Sequence, residues 1–371
     1  MNRPVRLLVV VAAVAATAFA GSAPVRADSS GGNAVFVQTN DPSGNAIDAY
    51  VRNGDGTLTF TNSYATGGLG GRETGSMSDP LASQGSLRQL PAGLLAGVNA
   101  GSDTISVFTV NGDHLQRTQI LPSGGPFPTS IAFHGNVLYV LDAGGAGFVS
   151  GYRIVGEALQ PIPGSTRTLG LANATPPFFL TSPAQVGFTP DGAHLIVTTK
   201  TNGTVDVFSV SAGGQLSAAP VKNPAAGVPF AFGFAGGEMV LSFAGTSSLE
   251  TFLVNADDTI TPVSAPVGDG QAALCWITSV RGFEYTSNTG SNDVSQFQVL
   301  ANGTVALVNP VAASNIPGAI DSASAGGQTL YVQSGLSSTI HVFNVGAGGA
   351  LTLTQIAAVP DGGSQEGIVV T

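Results

Sequence analysis

Charge is scarce in this chain. Asp, Glu, Lys and Arg together supply 9% of 371 residues, and the 12 basic residues are outnumbered by 22 acidic ones. A formal net charge of −10 argues against a nucleic-acid partner, because such binding rests on a dense basic surface. Cysteine is nearly absent. The single Cys275 excludes a disulfide framework, and with no His or Lys beside it in sequence it reads as a small packed residue rather than a thiolate. Four histidines, none in a His-Glu-x-x-His phrase, give no sign of a metal centre, and no Gly-x-Ser-x-Gly elbow is present. Residues 67–71 are glycine-rich, but no Lys or helix start follows them as a phosphate loop requires. No cofactor and no metal are expected. Helical periodicity is also missing beyond the N-terminus, whereas 51 Gly and 22 Pro supply turns in abundance, so the natural class is all-β.

The first residues read as a processing segment. Arg3 and Arg6 precede an apolar run from Leu7 to Ala20, and Val25-Arg26-Ala27 has the small-residue frame of a signal-peptidase site. The run is too short to span a bilayer and no later stretch qualifies, so the expectation is a secretory signal over residues 1–27. A mature domain would then cover 28–371, secreted or periplasmic, unattached to the membrane and monomeric. Loss of Arg3, Arg6 and Arg26 with the signal would take the net charge to about −13, since residues 1–27 hold no acid.

What the chain has in plenty is repetition. An apolar residue, two variable residues and an aromatic recur seven times: Ile47 to Tyr50, Ile105 to Phe108, Val149 to Tyr152, Val205 to Phe208, Leu249 to Phe252, Val294 to Phe297 and Ile340 to Phe343. Just downstream stand Gly- and Asp-rich pairs such as Asp55-Gly56, Gly213-Gly214 and Gly348-Gly349, which supply the positive φ of a tight hairpin. Upstream runs such as Leu138-Tyr-Val140 and Leu330-Tyr-Val332 read as another strand, and a fourth is marked by Gln84-Gly-Ser-Leu87, Pro128-Thr-Ser-Ile131, Pro183-Ala-Gln-Val186 and their counterparts. Four strands every roughly 40–50 residues is the spacing of β-propeller blades. The reading is a seven-bladed β-propeller of four antiparallel strands per blade. Because the chain begins at a second strand (Ala34 to Thr39) and ends on an innermost one (Gln365 to Val370), the C-terminal strand should pair into the first blade and close the ring.

This topology sorts residues onto two faces. Innermost strands start, and second strands end, on the top; hairpins between third and fourth strands lie on the bottom. His114, His134 and His194 fall at the bottom and His341 within a third strand, so no Ser-His-Asp triad is expected on top. Two units exceed the repeat by about 13 residues, and the excess falls in top-face connections near 68–83 and 164–181. Each carries one arginine, Arg72 and Arg167, and Lys200 ends a second strand on the same face. These cations would suit an anionic or carboxylated ligand.

The architecture, the phrases Phe188-Thr-Pro-Asp-Gly192 and Thr329-Leu-Tyr-Val332, and the recurring third-strand signature together resemble the lactonase family of seven-bladed propellers, which includes propeller-type 6-phosphogluconolactonase and carboxymuconate cyclases. The resemblance covers about residues 34–371 and implies a hydrolase or cyclase acting on a small lactone. Enzymatic members typically open a central blade with Pro-Arg-His, close its second strand with Asn-Glu, and open the preceding blade with a further His. Here those places read Pro183-Ala184-Gln185, Thr199-Lys200-Thr201 and Pro128-Thr129-Ser130, so the usual acid and base are not carried over.

Top-face residues of another kind remain. Glu366, Lys200 and Gln185 are the candidate catalytic groups, a Glu as base with a Lys as electrostatic stabiliser. Arg72, Arg167, Gln84, Thr129, Gln271 and Gln365 are candidate substrate-binding residues. Two functions follow: a secreted lactonase-like enzyme for a small lactone or carboxylated substrate, or a non-catalytic propeller that binds a small molecule, carbohydrate or protein in the top funnel. Phe127, Phe178, Phe179 and Phe230 could plug that funnel.

Overall fold

The computed structural model describes Met1 and residues 33–371; the proposed signal over 1–27 lies outside the described residues, Met1 apart. Seven sheets each follow a four-strand path. Blade 1 comprises Ala34–Gln38, Ala46–Arg52 and Leu58–Ala65 and takes its innermost strand, Ile368–Val370, from the far end of the chain. That strand pairs antiparallel with the first, Phe36 facing Val369 and Val37 facing Ile368, so the ring closes as the sequence predicts. Blades 2 to 7 follow in order, with innermost strands Leu87–Leu90, Pro128–His134, Gln185–Phe188, Pro229–Ala235, Leu274–Val280 and Ala319–Ala325. Two-residue segments, Arg167–Thr168 and Val267–Gly268, extend the outer edges of blades 3 and 5.

The recurring aromatics explain the blade stacking. Tyr50, Phe108, Tyr152, Phe208, Phe252, Phe297 and Phe343 are all buried. Phe208, for instance, packs with Tyr139, Leu141 and Leu195, joining blades 3 and 4 in one apolar cluster. Burying such a ring stabilises by roughly 1.5–3 kcal/mol, and every blade repeats the investment. A second device accounts for the Leu-Tyr-Val phrases. Tyr139, Tyr285 and Tyr331, each on a second strand, donate their hydroxyls to Gly214, Gly349 and Gly56, hairpin carbonyls of the next blade. Gly56 and Gly214 have φ of 86° and 74°, where a side chain would be strained, and a Cβ on Gly56 would also meet the Thr329 hydroxyl at 2.7 Å. The hairpin glycines therefore serve both the turn and the seam between blades.

Several innermost strands are bulged near their top ends, between Pro128 and Ser130, Pro229 and Phe232, Leu274 and Trp276, and Ala319 and Ser322. Bulges break the strict alternation of side chains and re-aim them. In blade 6 the consequence is visible: the successive residues Cys275 and Trp276 both line one cavity at the channel mouth.

Candidate functional site

The first insertion, between blade 1 and the innermost strand of blade 2, builds this site. It leaves blade 1 clamped by Asn40, whose side chain donates to Gly71 O and accepts from Gly71 N at 2.7 and 3.0 Å. Thr74 then bridges to Phe178 of the second insertion. Beyond it, Asp79 Oδ1 accepts the backbone N–H groups of Leu81 and Ala82 at 3.2 and 2.8 Å, turning the chain down into the ring. The following residues cross the axis as a strap. Ser83 Oγ donates to Thr129 O of blade 3, Gln84 N donates to Ala184 O of blade 4, and the Gln84 amide exchanges two hydrogen bonds with Ile277 of blade 6. Trp276 Nε1 donates to Ser83 O at 2.8 Å. The funnel is therefore plugged at its centre by the insertion's own backbone, and an off-axis cavity of about 540 Å³ is left between the strap and blades 4 to 7.

Lys200 is the polar anchor of that cavity. It stands two residues beyond the second strand of blade 4 with φ of 50°, as Asn40 does in blade 1. Asn tolerates this left-handed region and Lys does so less readily, so the position carries backbone strain. The ammonium is buried, donates to Ala82 O at 2.6 Å, lies 3.6 Å from Glu73 Oε2 and sits 5.6 Å from the centroid of the Phe230 ring. Glu73, on the insertion, also accepts from Ser182 Oγ at 2.8 Å. Burial pushes the Glu73 carboxyl up to about 8 even though Lys200 pulls it down, and burial lowers the Lys200 ammonium against the pull of Glu73 and Asp79. The pair is a buried, mutually dependent unit.

Behind it lies a second unit. Asp79 and Glu366 are neighbouring buried carboxyls, and burial raises both, Glu366 well above the usual range, with the Asp79 charge adding to the effect. Neither Glu366 oxygen nor Asp79 Oδ2 has a hydrogen-bond partner among the described residues. Lys200 favours the charged form of Asp79, and two carboxyls buried side by side do not both ionise, so Glu366 is the member that keeps its proton. Asp321 is raised to about 7 by burial, opposed by the charge of Arg88. The Cys275 thiol is pushed far up by burial and stays protonated, in keeping with a packed role.

The structure brings some of the sequence candidates together and separates others. Lys200 lines the cavity, and Glu366 lies behind its Asp79 wall. Gln185 does not line it: its amide exchanges hydrogen bonds with Phe232 and ties blade 4 to blade 5. Gln84 belongs to the strap. Thr129 accepts from Ser83 through its carbonyl, while its hydroxyl is buried and unpartnered. Gln365 donates to Ser334 O and Thr339 O, fixing the closing segment to blade 7. Gln271 is half-exposed on the approach to blade 6. Arg72 staples the insertion to Gly363 O and Ser364 Oγ. Arg167 is drawn away altogether, because it pairs on the outer edge of blade 3 and donates to Leu216 O and Ser217 O of blade 4. The expected convergence of cations on an anion is thus not what the arginines do: their guanidiniums are taken up by main-chain carbonyls. Glu73 and Asp79 were missed as candidates, although two acids inside one insertion of an acid-poor chain are a signal that could have found them.

Among the described residues, no three His, Cys, Asp or Glu side chains are grouped to hold a metal ion, and no helix is long and apolar enough to cross a membrane. No protein-family model and no curated protein matches the chain. Solved structures do. A periplasmic gluconolactonase of Pseudomonas aeruginosa superposes with TM-score 0.71 at 18% identity, over 91% of this chain and 98% of that one. A Bacteroides uniformis protein provisionally described as a 6-phosphogluconolactonase gives 0.69 at 15% identity, over 91% and 99%. A protein from Lactobacillus plantarum gives 0.67 at 18% identity, over 90% and 98%. At these identities the likeness establishes the architecture: this chain is a seven-bladed propeller built as gluconolactonase-like propellers are.

Proposed function

We propose that this protein is an exported, lactonase-like propeller that hydrolyses a small cyclic ester in the cavity beside the strap. The observation that carries the reading is the meeting, at one 540 Å³ cavity, of the Lys200 ammonium and the Asp79 carboxyl backed by Glu366. A cavity of this size lies within the range that encloses small-molecule ligands. The chemistry follows from the proton count. The ionised member of the Asp79–Glu366 pair takes a proton from water as its oxygen attacks the lactone carbonyl carbon. The carbonyl oxygen gains negative charge, which Lys200 stabilises. The ring C–O bond then breaks, and the pair returns a proton to the departing alkoxide. Water is consumed, a hydroxy acid is formed, and the pair ends as it began. Export rests on Arg3, Arg6 and the Leu7 to Ala20 run.

The rival reading, a non-catalytic binding propeller, draws on the depth of Glu366, which is fully buried. Hydrolysis assays on a lactone panel with wild type, Asp79→Asn, Glu366→Gln and Lys200→Met variants decide between them. Turnover that falls about 100-fold or more in the Asp79→Asn and Glu366→Gln variants, with unchanged folding, supports the dyad. Turnover absent from the wild type on every lactone, or unaffected by both substitutions, overturns it.

A further inference from the structure

Most of the polar groups around the cavity are already engaged, Asp79 Oδ2 being an exception. Lys200 has its charge paired with Glu73 and an N–H given to Ala82 O, which leaves one N–H and no unpaired charge. Thr289 Oγ1 donates to Ala319 O, Asn292 Oδ1 accepts from Gly318 N, and Ser76 Oγ donates to Asp79 O. The nearby arginines are no freer, since Arg72 serves carbonyls of the insertion and closing segment, and Arg88 serves Ile131 O beside Asp321. What the cavity offers in quantity is apolar surface. Phe230 and Trp276 stack edge to face at its back, with ring centroids 4.9 Å apart. Met77, Leu180 and Leu336 stand at its edge and are 82%, 37% and 59% exposed. The rim is held in shape by close approach: Ser78 O lies where a Cβ on Gly335 would sit, at 1.9 Å.

Taking up the small-molecule reading above, we infer that this cavity selects an uncharged ligand with an apolar body and a single acceptor group, such as an alkyl-substituted γ- or δ-lactone, and disfavours sugar-acid lactones and their phosphates. A phosphate brought to this wall would lose its hydration without meeting an unspent cation, and it would face Asp79. A polyhydroxylated ring would bury several hydroxyls against Phe230, Trp276 and Leu336 with few donors or acceptors left to receive them. An alkyl chain meets the opposite circumstances, and its carbonyl oxygen can approach Lys200.

The chain's single Trp lines the cavity, so its emission reports occupancy directly. We would titrate the full mature chain with γ-decalactone, cyclodecanone, freshly dissolved glucono-δ-lactone and 6-phosphogluconate, following Trp276 fluorescence and confirming by calorimetry. The expected result is that γ-decalactone and cyclodecanone bind at least tenfold more tightly than the two hydroxylated compounds, and that Leu336→Asp, a change at an exposed rim position, weakens them about tenfold. Equal or tighter binding of glucono-δ-lactone or 6-phosphogluconate overturns the inference. So does the absence of binding by both apolar probes, or their indifference to Leu336→Asp. Cyclodecanone has no ester to cleave, so its binding without turnover of any lactone sinks the catalytic reading alone. Rapid turnover of glucono-δ-lactone with no apolar binding sinks the ligand class alone.

Discussion

The two top-face insertions exceed the repeat by the same amount, yet they do different things. The first carries Glu73 and Asp79 into the ring, crosses the axis and bonds to blades 3, 4 and 6. The second begins as an extra outer-edge strand at Arg167–Thr168, then lies beside the first, touching it through the Thr74–Phe178 bridge and the Ser182–Glu73 hydrogen bond. Length marks an insertion as an excursion, but the polar groups it carries decide where it goes. A segment with buried carboxyls must end near cations or protons, whereas one with Phe178, Phe179 and Leu180 needs only apolar cover.

Exchanging residues 70–82 for a short Gly-Ser turn should therefore do the most damage. It removes Glu73 and Asp79, leaving Lys200 and Glu366 buried without partners, and a loss of the single cooperative urea transition is expected. The same operation on 170–181 should leave a cooperative transition, with a lower midpoint. Equal outcomes for the two deletions would erase the distinction drawn between them.

A sharper version uses single side chains. Lys200→Met, assayed at pH 9 where Glu73 is ionised in the wild type, leaves that carboxyl in the interior with only Ser182, which should cost about 3–5 kcal/mol in urea denaturation. Adding Glu73→Gln should recover a large part of it. Arg167→Met, on the second insertion, loses hydrogen bonds to Leu216 O and Ser217 O at a half-exposed site and should cost about 1–2 kcal/mol. A Lys200→Met loss no greater than that of Arg167→Met would show that the strap is held by its backbone and not by the pair.

These contrasts also separate what was legible in the sequence from what was not. The blades were legible because each is a local repeat: the third-strand aromatic, the hairpin glycine and the second-strand Tyr each recur at fixed offsets, and ring closure follows from where the repeat starts and stops. Lys200 was legible as a cation just past the top end of a second strand; by register it stands with Asn40, one position beyond Asn99, Asp142, Asn288 and Ser334. The partners were not, because Glu73 meets Lys200 and Asp79 meets Glu366 only through a loop whose path no periodicity governs. Arg167 misled for the reverse reason: its segment resumed sheet pairing and carried it to the outer edge of the blade.

The carboxyl groups add a pH signature, which the first insertion should dominate. Burial raises Glu73 to about 8 and Asp321 to about 7, and raises Asp79 and Glu366 as well. In the unfolded chain such groups lose their protons near pH 4. The native state thus holds protons that the unfolded chain has released, and stability should be greatest below about pH 4 on this account and fall as pH rises toward 8. Asp48 and Asp142, raised to about 6 and about 8 at other points of the ring, act in the same direction. Glu366→Gln mimics the protonated state, so its stability relative to wild type should grow by at least about 1 kcal/mol between pH 5 and pH 8. A constant difference across that range would mean that the Asp79–Glu366 pair does not hold a proton.

The smallest effect tests the scaffold against which both insertions are measured. Tyr139→Phe, Tyr285→Phe and Tyr331→Phe each remove one hydroxyl and leave a hairpin carbonyl of the next blade with one hydrogen bond fewer. Each should cost about 0.5–1.5 kcal/mol in urea denaturation. The three seams lie between blades 3 and 4, 6 and 7, and 7 and 1; the last two involve neither insertion, and Arg167 of the second insertion bonds to Leu216 O and Ser217 O at the first. Their costs should accordingly add in the triple variant to within about 0.5 kcal/mol, and Trp276 emission and ligand binding at the cavity should stay as in the wild type. Coupling between a seam and the cavity would show that the strap senses the spacing of the blades, and would place the two regions in one cooperative unit.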